Sequence, residues 1–207
     1  MELSDIFHQF FNNLKNTGIA EYIAVFTGLL SVWYARKENI LVYPIGIISV
    51  ILYVYLCYHA GLYADMGINA FYFVTSIYGW YKWTRRDKIS HQHRPIAWCN
   101  KKETAGGILA IIVFTLIIYQ VLYRFTDSTV PFIDALTTAI FIVGMWLMAL
   151  KKIENWIYWI IGDTVCVFLF PYKGLYFSSV QYVVFLILAI FGYIEWKRRW
   201  KAVQVKL

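Results

Sequence analysis

The stretch GLYADMGINAFYFVTSIYGWYKW, Gly61 to Trp83, decides the fold, because a blurred copy, GLYFSSVQYVVFLILAIFGYIEW, returns from Gly174 to Trp196. Gly61, Leu62, Tyr63, Gly79 and Trp83 match Gly174, Leu175, Tyr176, Gly192 and Trp196 at an offset of 113 residues. Working outward, Glu21 and Trp33 find counterparts in Asp134 and Trp146 at the same offset. Between these blocks, Asn39, Tyr43 and Gly46 match Asn155, Trp159 and Gly162 at 116, which asks for a three-residue insertion in one loop and an equal deletion in another. Length changes confined to loops are what a duplicated three-helix unit shows.

Composition says where such units reside. Of 207 residues 60% are hydrophobic, 20% aromatic and 15% charged, against about 25% charged in a soluble domain. A membrane helix needs about 20 mostly apolar residues. Seven spans fit, at 19–36, 40–58, 67–85, 105–124, 131–150, 155–172 and 175–196. The longest polar segment, Arg85 to Glu103, is too short to bury a core and reads as a loop.

The placement of charge fixes the expected topology. Sixteen Lys and Arg fall in the first, third and fifth loops and the C-terminal tail, against Lys15, Arg124 and Lys173 on the other side. That asymmetry places the N-terminus outside and the C-terminus in the cytoplasm. It also accounts for the formal charge of +7, so no nucleic-acid partner is implied. Three spans turn the chain over, and the fourth, Ala105 to Arg124, restores its direction. The expected architecture is therefore an all-α integral membrane protein of seven helices, a 3+1+3 parallel repeat. Its parts are an interfacial N-terminal helix (1–16), a first repeat (17–86), a cytoplasmic loop and linker helix (87–125), a second repeat (126–198) and a basic tail (199–207). Leu3, Ile6, Phe7, Phe10, Phe11 and Leu14 carry the helical spacing of the first part. No charged segment followed by a small-residue cleavage site opens the chain, so no cleaved signal peptide is expected. Parallel repeats of this kind are a signature of transporters, with the substrate between the halves near midplane.

Asp163 is the one acidic residue deep within a span. An ionisable group at that depth is expensive unless it faces protein or water, which makes it the first candidate for function. Asn155, Trp159 and Asp163 fall at i, i+4 and i+8, with Trp156 at the edge of the same face. On the third span Asn69, Tyr72, Ser76 and Trp80 form a second polar and aromatic face that continues to Trp83, and Gln181 and Tyr182 stand at the corresponding level of the seventh. Positions that differ between the copies, Asn69 against Tyr182, Ile68 against Gln181 and Trp80 against Tyr193, are the ones expected to touch an asymmetric substrate. Trp83, Trp196 and Trp200 stand where interfacial anchors occur. Glu21 and Asp134 read as helix caps or as guards of an entrance. A deep carboxylate beside electron-rich rings suits a flat cationic aromatic solute.

Enzymatic readings find no support. The chain has no H-E-x-x-H or G-x-S-x-G, and His91 and His93 lie in the basic loop. Cys57, Cys99 and Cys166 form no C-x-x-C pair, so neither a metal site nor a disulfide framework is expected. A retinal protein needs a lysine in mid seventh helix, and none lies between Gly174 and Trp196.

The strings SIYGWYKW, GLYADMGIN, ENWIYWIIGD, KGLY and FGYIEW together resemble the PnuC family of nicotinamide riboside transporters over residues 20 to 200. The resemblance implies a SWEET-like 3+1+3 fold, a homotrimer in the bacterial inner membrane, no cofactor, and facilitated diffusion followed by phosphorylation inside the cell. It assigns Trp80, Trp83, Asn155, Trp156 and Trp159 to the substrate path. Asp163 stands where the family often has an asparagine, Asn69 where a glutamine can stand and Gln181 where a glutamate can stand. Two alternatives therefore stay open: thiamine, another flat cation carried by related branches, and proton-coupled symport through Asp163.

Overall fold

The computed structural model describes residues 18–59, 63–85 and 94–205, so the expected interfacial helix at 1–16 lies outside the described residues, as do Gly61, Leu62, His91 and His93. Among the described residues the chain forms seven helices: α1 (Ile19–Arg36), α2 (Val42–His59), α3 (Tyr63–Thr84), α4 (Lys101–Phe125), α5 (Pro131–Ala149), α6 (Glu154–Tyr172) and α7 (Tyr176–Gln204). Local chemistry sets several ends. The Asn100 side chain accepts from the Glu103 backbone N–H while the Glu103 carboxylate accepts from the Asn100 backbone N–H, a capping box that starts α4. Pro131 opens α5 at a position where its missing N–H costs nothing. The observed bounds follow the expected spans closely, except that α7 runs eight residues past Trp196 and carries Lys197 to Lys201 as helix rather than as a tail.

Four helices, α2, α4, α5 and most of α7, are long and apolar enough to cross a membrane. The remaining three hold Glu21, Asp65, Glu154 and Asp163, polar groups that lower their hydropathy. Neighbours in sequence pack on one another: α1 on α2, α2 on α3, α5 on α6 and α6 on α7. The two groups of three meet through α1 against α7 and α3 against α5. Helix α4 packs along α5 and turns Ile108, Leu109, Ile112, Leu116 and Ile117 outward.

One geometry occurs twice at a spacing of 113 residues. The Trp83 indole donates to the Met148 carbonyl at 3.3 Å and the Trp196 indole to the Ala35 carbonyl at 3.0 Å. Tyr43 stands edge-on to Trp83 with centroids 5.2 Å apart, and Trp156 edge-on to Trp196 at 5.6 Å. The turn after α1 holds Glu38 at φ 55° and the turn after α5 holds Lys151 at φ 54°. In each case that residue and the next return hydrogen bonds to the last turn: Glu38 to Ala35 and Asn39 to Tyr34, Lys151 to Met148 and Lys152 to Leu147. This is the Schellman closure, built on non-glycine residues at a cost of about 1–2 kcal/mol each. The starts of α2 and α6 agree, with Val42 bonded to Asn39 and Tyr43 to Ile40, then Asn155 to Lys152 and Trp156 to Ile153.

These pairs correct the register expected for the second and sixth spans. The counterpart of Tyr43 is Trp156 rather than Trp159, and that of Asn155 is Val42 rather than Asn39. The offset is 113 in all three helix pairs, and no three-residue insertion is needed.

The buried cluster gathers at this same end, around Tyr43, Trp83, Ile153, Trp156 and Trp196. Trp83 and Trp196, expected as interfacial anchors, are 4% and 0% exposed and meet each other at 6.0 Å. The 94–100 segment explains part of their burial. Ala97 bonds to Lys151 and Ile153 at 3.1 and 3.0 Å, Ile96 enters the cluster, and Trp98 stands edge-on to Tyr193 and Trp200. Lys151 and Lys152, counted among the basic residues of the fifth loop, are buried. Lys151 pairs with Glu38 at 2.7 Å, and Lys152 with Glu103 at 2.6 Å. At the other end Asp134 holds Lys173 at 2.5 Å and accepts from Ser128 at 2.6 Å.

Candidate substrate site

Asp163 sits midway along α6, 3% exposed. Among the described residues no hydrogen bond or ion pair reaches its carboxylate. Its electrostatic neighbours are Tyr72 from α3, Cys166 one turn on, and Tyr182 from α7. Tyr182 in turn neighbours Tyr53 of α2, which faces Gln181. The cluster thus draws on both groups of helices. A stack of rings extends it: Tyr182 lies over Phe170 at 4.8 Å and parallel to Phe141 at 6.2 Å, and Phe141 stacks on Trp159 at 5.2 Å. Gly162 leaves the space on α6 that the Phe141 ring occupies, since a Cβ there would overlap it.

Tyr72, Trp159, Asp163, Gln181 and Tyr182 are therefore brought together, directly or through Phe141. The other expected site residues stand apart. Trp156, 1% exposed, packs against Trp196 in the core, and among the described residues its indole N–H has no partner. Asn155, 0% exposed, donates to the Lys152 carbonyl at 2.5 Å, and its Oδ1 is likewise unpartnered. Asn69 bonds within its own helix, to the Asp65 carbonyl at 2.9 Å. Ser76 is buried in α3, and Trp80 is exposed on it.

Tyr53, Phe141 and Phe170 were not among the expected residues. A constant offset would have found Tyr53, because it puts Tyr53 opposite Cys166, the residue one turn from Asp163. The remaining two lie in continuous apolar runs that carry no contrast.

A buried carboxylate that bonds to none of the described residues, with tyrosines in electrostatic reach, can hold a cation that brings its own aromatic surface. Burial strengthens both the charge pairing and the attraction to ring faces.

Comparison with known proteins places this arrangement. The profile of the nicotinamide mononucleotide transporter family matches residues 18–198. The nicotinamide riboside transporter PnuC of Escherichia coli is 28% identical over 200 residues, covering 85% of this chain and 84% of that protein. The riboflavin/roseoflavin transporter RibM of Streptomyces davaonensis is 25% identical over 171 residues, with 82% and 80% covered. The crystal structure of the vitamin B3 transporter PnuC superposes with a TM-score of 0.72 at 25% identity, covering 97% of this chain and 90% of that one. With these relatives and its apolar helices, the chain is a multi-pass membrane transporter and not an enzyme.

Proposed function

The chain belongs to the nicotinamide mononucleotide transporter family, and from that premise we propose that it takes up nicotinamide riboside by facilitated diffusion across a bacterial inner membrane. The single observation that carries the substrate is Asp163, buried, bonded to none of the described residues and within electrostatic reach of Tyr72 and Tyr182. Nicotinamide riboside is a pyridinium, and its ring charge supplies the countercharge that the protein lacks there. Gln181 and Tyr53 read the ring amide or the ribose hydroxyls, and Trp159 with Phe141 walls the ring plane. Phosphorylation in the cytoplasm would keep the product inside. Because the carboxylate is 3% exposed, a solute reaches it only when helices part, as alternating access requires.

The same proposal includes the 3+1+3 parallel repeat, with the N-terminus outside and the C-terminus inside. The matched indole bonds, Schellman closures and reciprocal packing of α1 on α7 and α3 on α5 support the repeat. The bias of basic residues supports the orientation. A homotrimer completes it; light scattering of the purified protein checks that state.

The test of substrate is calorimetric titration of the detergent-solubilised protein with nicotinamide riboside, thiamine and riboflavin in parallel. Nicotinamide riboside binds, and Asp163→Ala weakens it at least about tenfold, about 1.4 kcal/mol. Thiamine binding in its place would transfer the assignment to the other flat cation. Binding of riboflavin with indifference to Asp163→Ala would remove the countercharge role. Uptake into proteoliposomes that is unchanged without a pH gradient excludes proton coupling through Asp163.

A further inference from the structure

The end of the bundle that carries the paired loops holds a cavity of about 540 Å³ between α1 and α7, remote from Asp163. Its polar part is made by Arg36, Lys37, Asn39 and Arg199, with Glu195 as the one acid. Glu195 is taken up by Arg198 at 2.8 Å and Arg199 at 2.9 Å, and Arg199 also approaches Glu38 at 3.6 Å. Arg36 and Lys37 have no ion pair among the described residues. Both rest on the Trp33 ring instead, at 3.9 and 5.1 Å, with Arg36 also 5.7 Å from Phe191.

The other side of the cavity is apolar and faces outward. Phe191 and Ile194 line it and are exposed, and Ile187 and Ile190 continue the same stripe along α7. Trp33 is exposed on α1 beside it. With Arg199 held by Glu195 and Glu38, Arg36 and Lys37 leave a positive site at the end of the bundle, opening onto an exposed apolar helix face. We propose that this cavity binds the headgroup of an anionic phospholipid. The phosphate lies on Arg36, Lys37 and Arg199, and an acyl chain lies along Phe191, Ile194 and Ile190. A free phosphate accounts for the cations but gives the exposed apolar stripe nothing to do. A zwitterionic lipid accounts for the stripe but brings its own cation to a site with two unpaired ones.

Native mass spectrometry of the full chain tests this, with phosphatidylglycerol and phosphatidylcholine of identical acyl chains and with glycerol 3-phosphate as the chainless anion. Phosphatidylglycerol is retained over phosphatidylcholine, and the preference falls about fivefold for each of Arg36→Gln and Lys37→Gln. Lys37→Arg keeps it. Equal retention of the two lipids overturns the proposal, as does a preference that survives the double substitution. Retention of glycerol 3-phosphate equal to that of phosphatidylglycerol overturns the lipid assignment in favour of a free anion. Lys37 is exposed, so its single variant folds like the parent, which unfolding in lipid-free detergent checks. A Lys37→Gln chain of unchanged stability and unchanged lipid preference counts against the site.

Discussion

Cys99 shows how a single side chain reports on its surroundings. It lies in the 94–100 segment, and its backbone N–H donates to Glu154 Oε1 at 2.8 Å. Burial pushes the Cys99 thiol up to about 12, with the Glu154 carboxylate adding to the shift and Lys152 opposing it. Alkylation needs the thiolate, so the reaction is slow at neutral pH. Its rate climbs about tenfold per pH unit from 7 through 10, where an ordinary cysteine levels off beyond about 8.5. Glu154→Gln removes the second cause and speeds the reaction at pH 8. Mass spectrometry of the alkylated peptides separates Cys99 from Cys57 and Cys166. A rate that levels off near pH 8.5 would show that the segment does not dock on the start of α6. At this scale the sequence was informative where chemistry is rare and silent where it is common. Asp163 announced itself as a charge in an apolar span, whereas Tyr53 lies in VYPIGIISVILYVYLCYH, apolar on every side, which offers no face to read.

Among elements, the close approach of helices rests on paired glycines. A Cβ on Gly79 would lie 2.5 Å from the Tyr43 ring, and one on Gly192 2.5 Å from the Trp156 ring. Both rings are fully enclosed, so neither swings aside cheaply. Gly79→Ala and Gly192→Ala each destabilise by about 1–3 kcal/mol through overpacking, measured as a lowered Tm in detergent. Tyr43→Leu restores part of the loss in Gly79→Ala, since it removes the ring that the methyl meets, and does nothing for Gly192→Ala.

The same pairs explain why the outer blocks of the repeat were legible and the middle one was not. Helices α3 and α7 keep Gly79 with Gly192 and Trp83 with Trp196, residues that packing allows no freedom. Their partners on α2 and α6 changed from tyrosine to tryptophan, and Trp159 one turn along offered a false match. A shift of three residues rotates a helical side chain by only about 60°, so hydrophobic periodicity cannot distinguish the two registers. Trp83 and Trp196 were misread as anchors for a related reason. They stand beside Lys82 and Lys197 in sequence, but the helices converge there, and the 94–100 segment covers them. A pattern along one helix does not contain that information.

For the whole molecule, the ion pair between Glu38 and Lys151 joins the two groups of helices through residues in corresponding left-handed positions. The partners are not equivalent. The Lys151 side chain is 6% exposed and lies over the Trp83 ring at 4.7 Å, whereas the Glu38 side chain is 22% exposed and has Arg199 as a second cation at 3.6 Å. Glu38→Gln strands an ammonium in the core and costs about 1–3 kcal/mol, below the range for a fully buried pair because Glu38 is partly wet. Lys151→Met costs less, because Arg199 still serves the carboxylate and the methionine packs on Trp83. The double variant regains most of the difference, giving a coupling of about 0.5–3 kcal/mol in a cycle read from denaturant unfolding. Reversing the pair, Glu38→Lys with Lys151→Glu, restores less than the simple exchange of sign would give, since a lysine at 38 then meets Arg199. A coupling of zero would mean that this pair adds nothing to the indole bonds of Trp83 and Trp196, which also join the halves at this end. A path that opens between the α1–α2 and α5–α6 turns must break this pair. Lys151→Met is then expected to exchange substrate across the membrane at least as fast as the parent despite its lower stability, a combination that general unfolding does not produce.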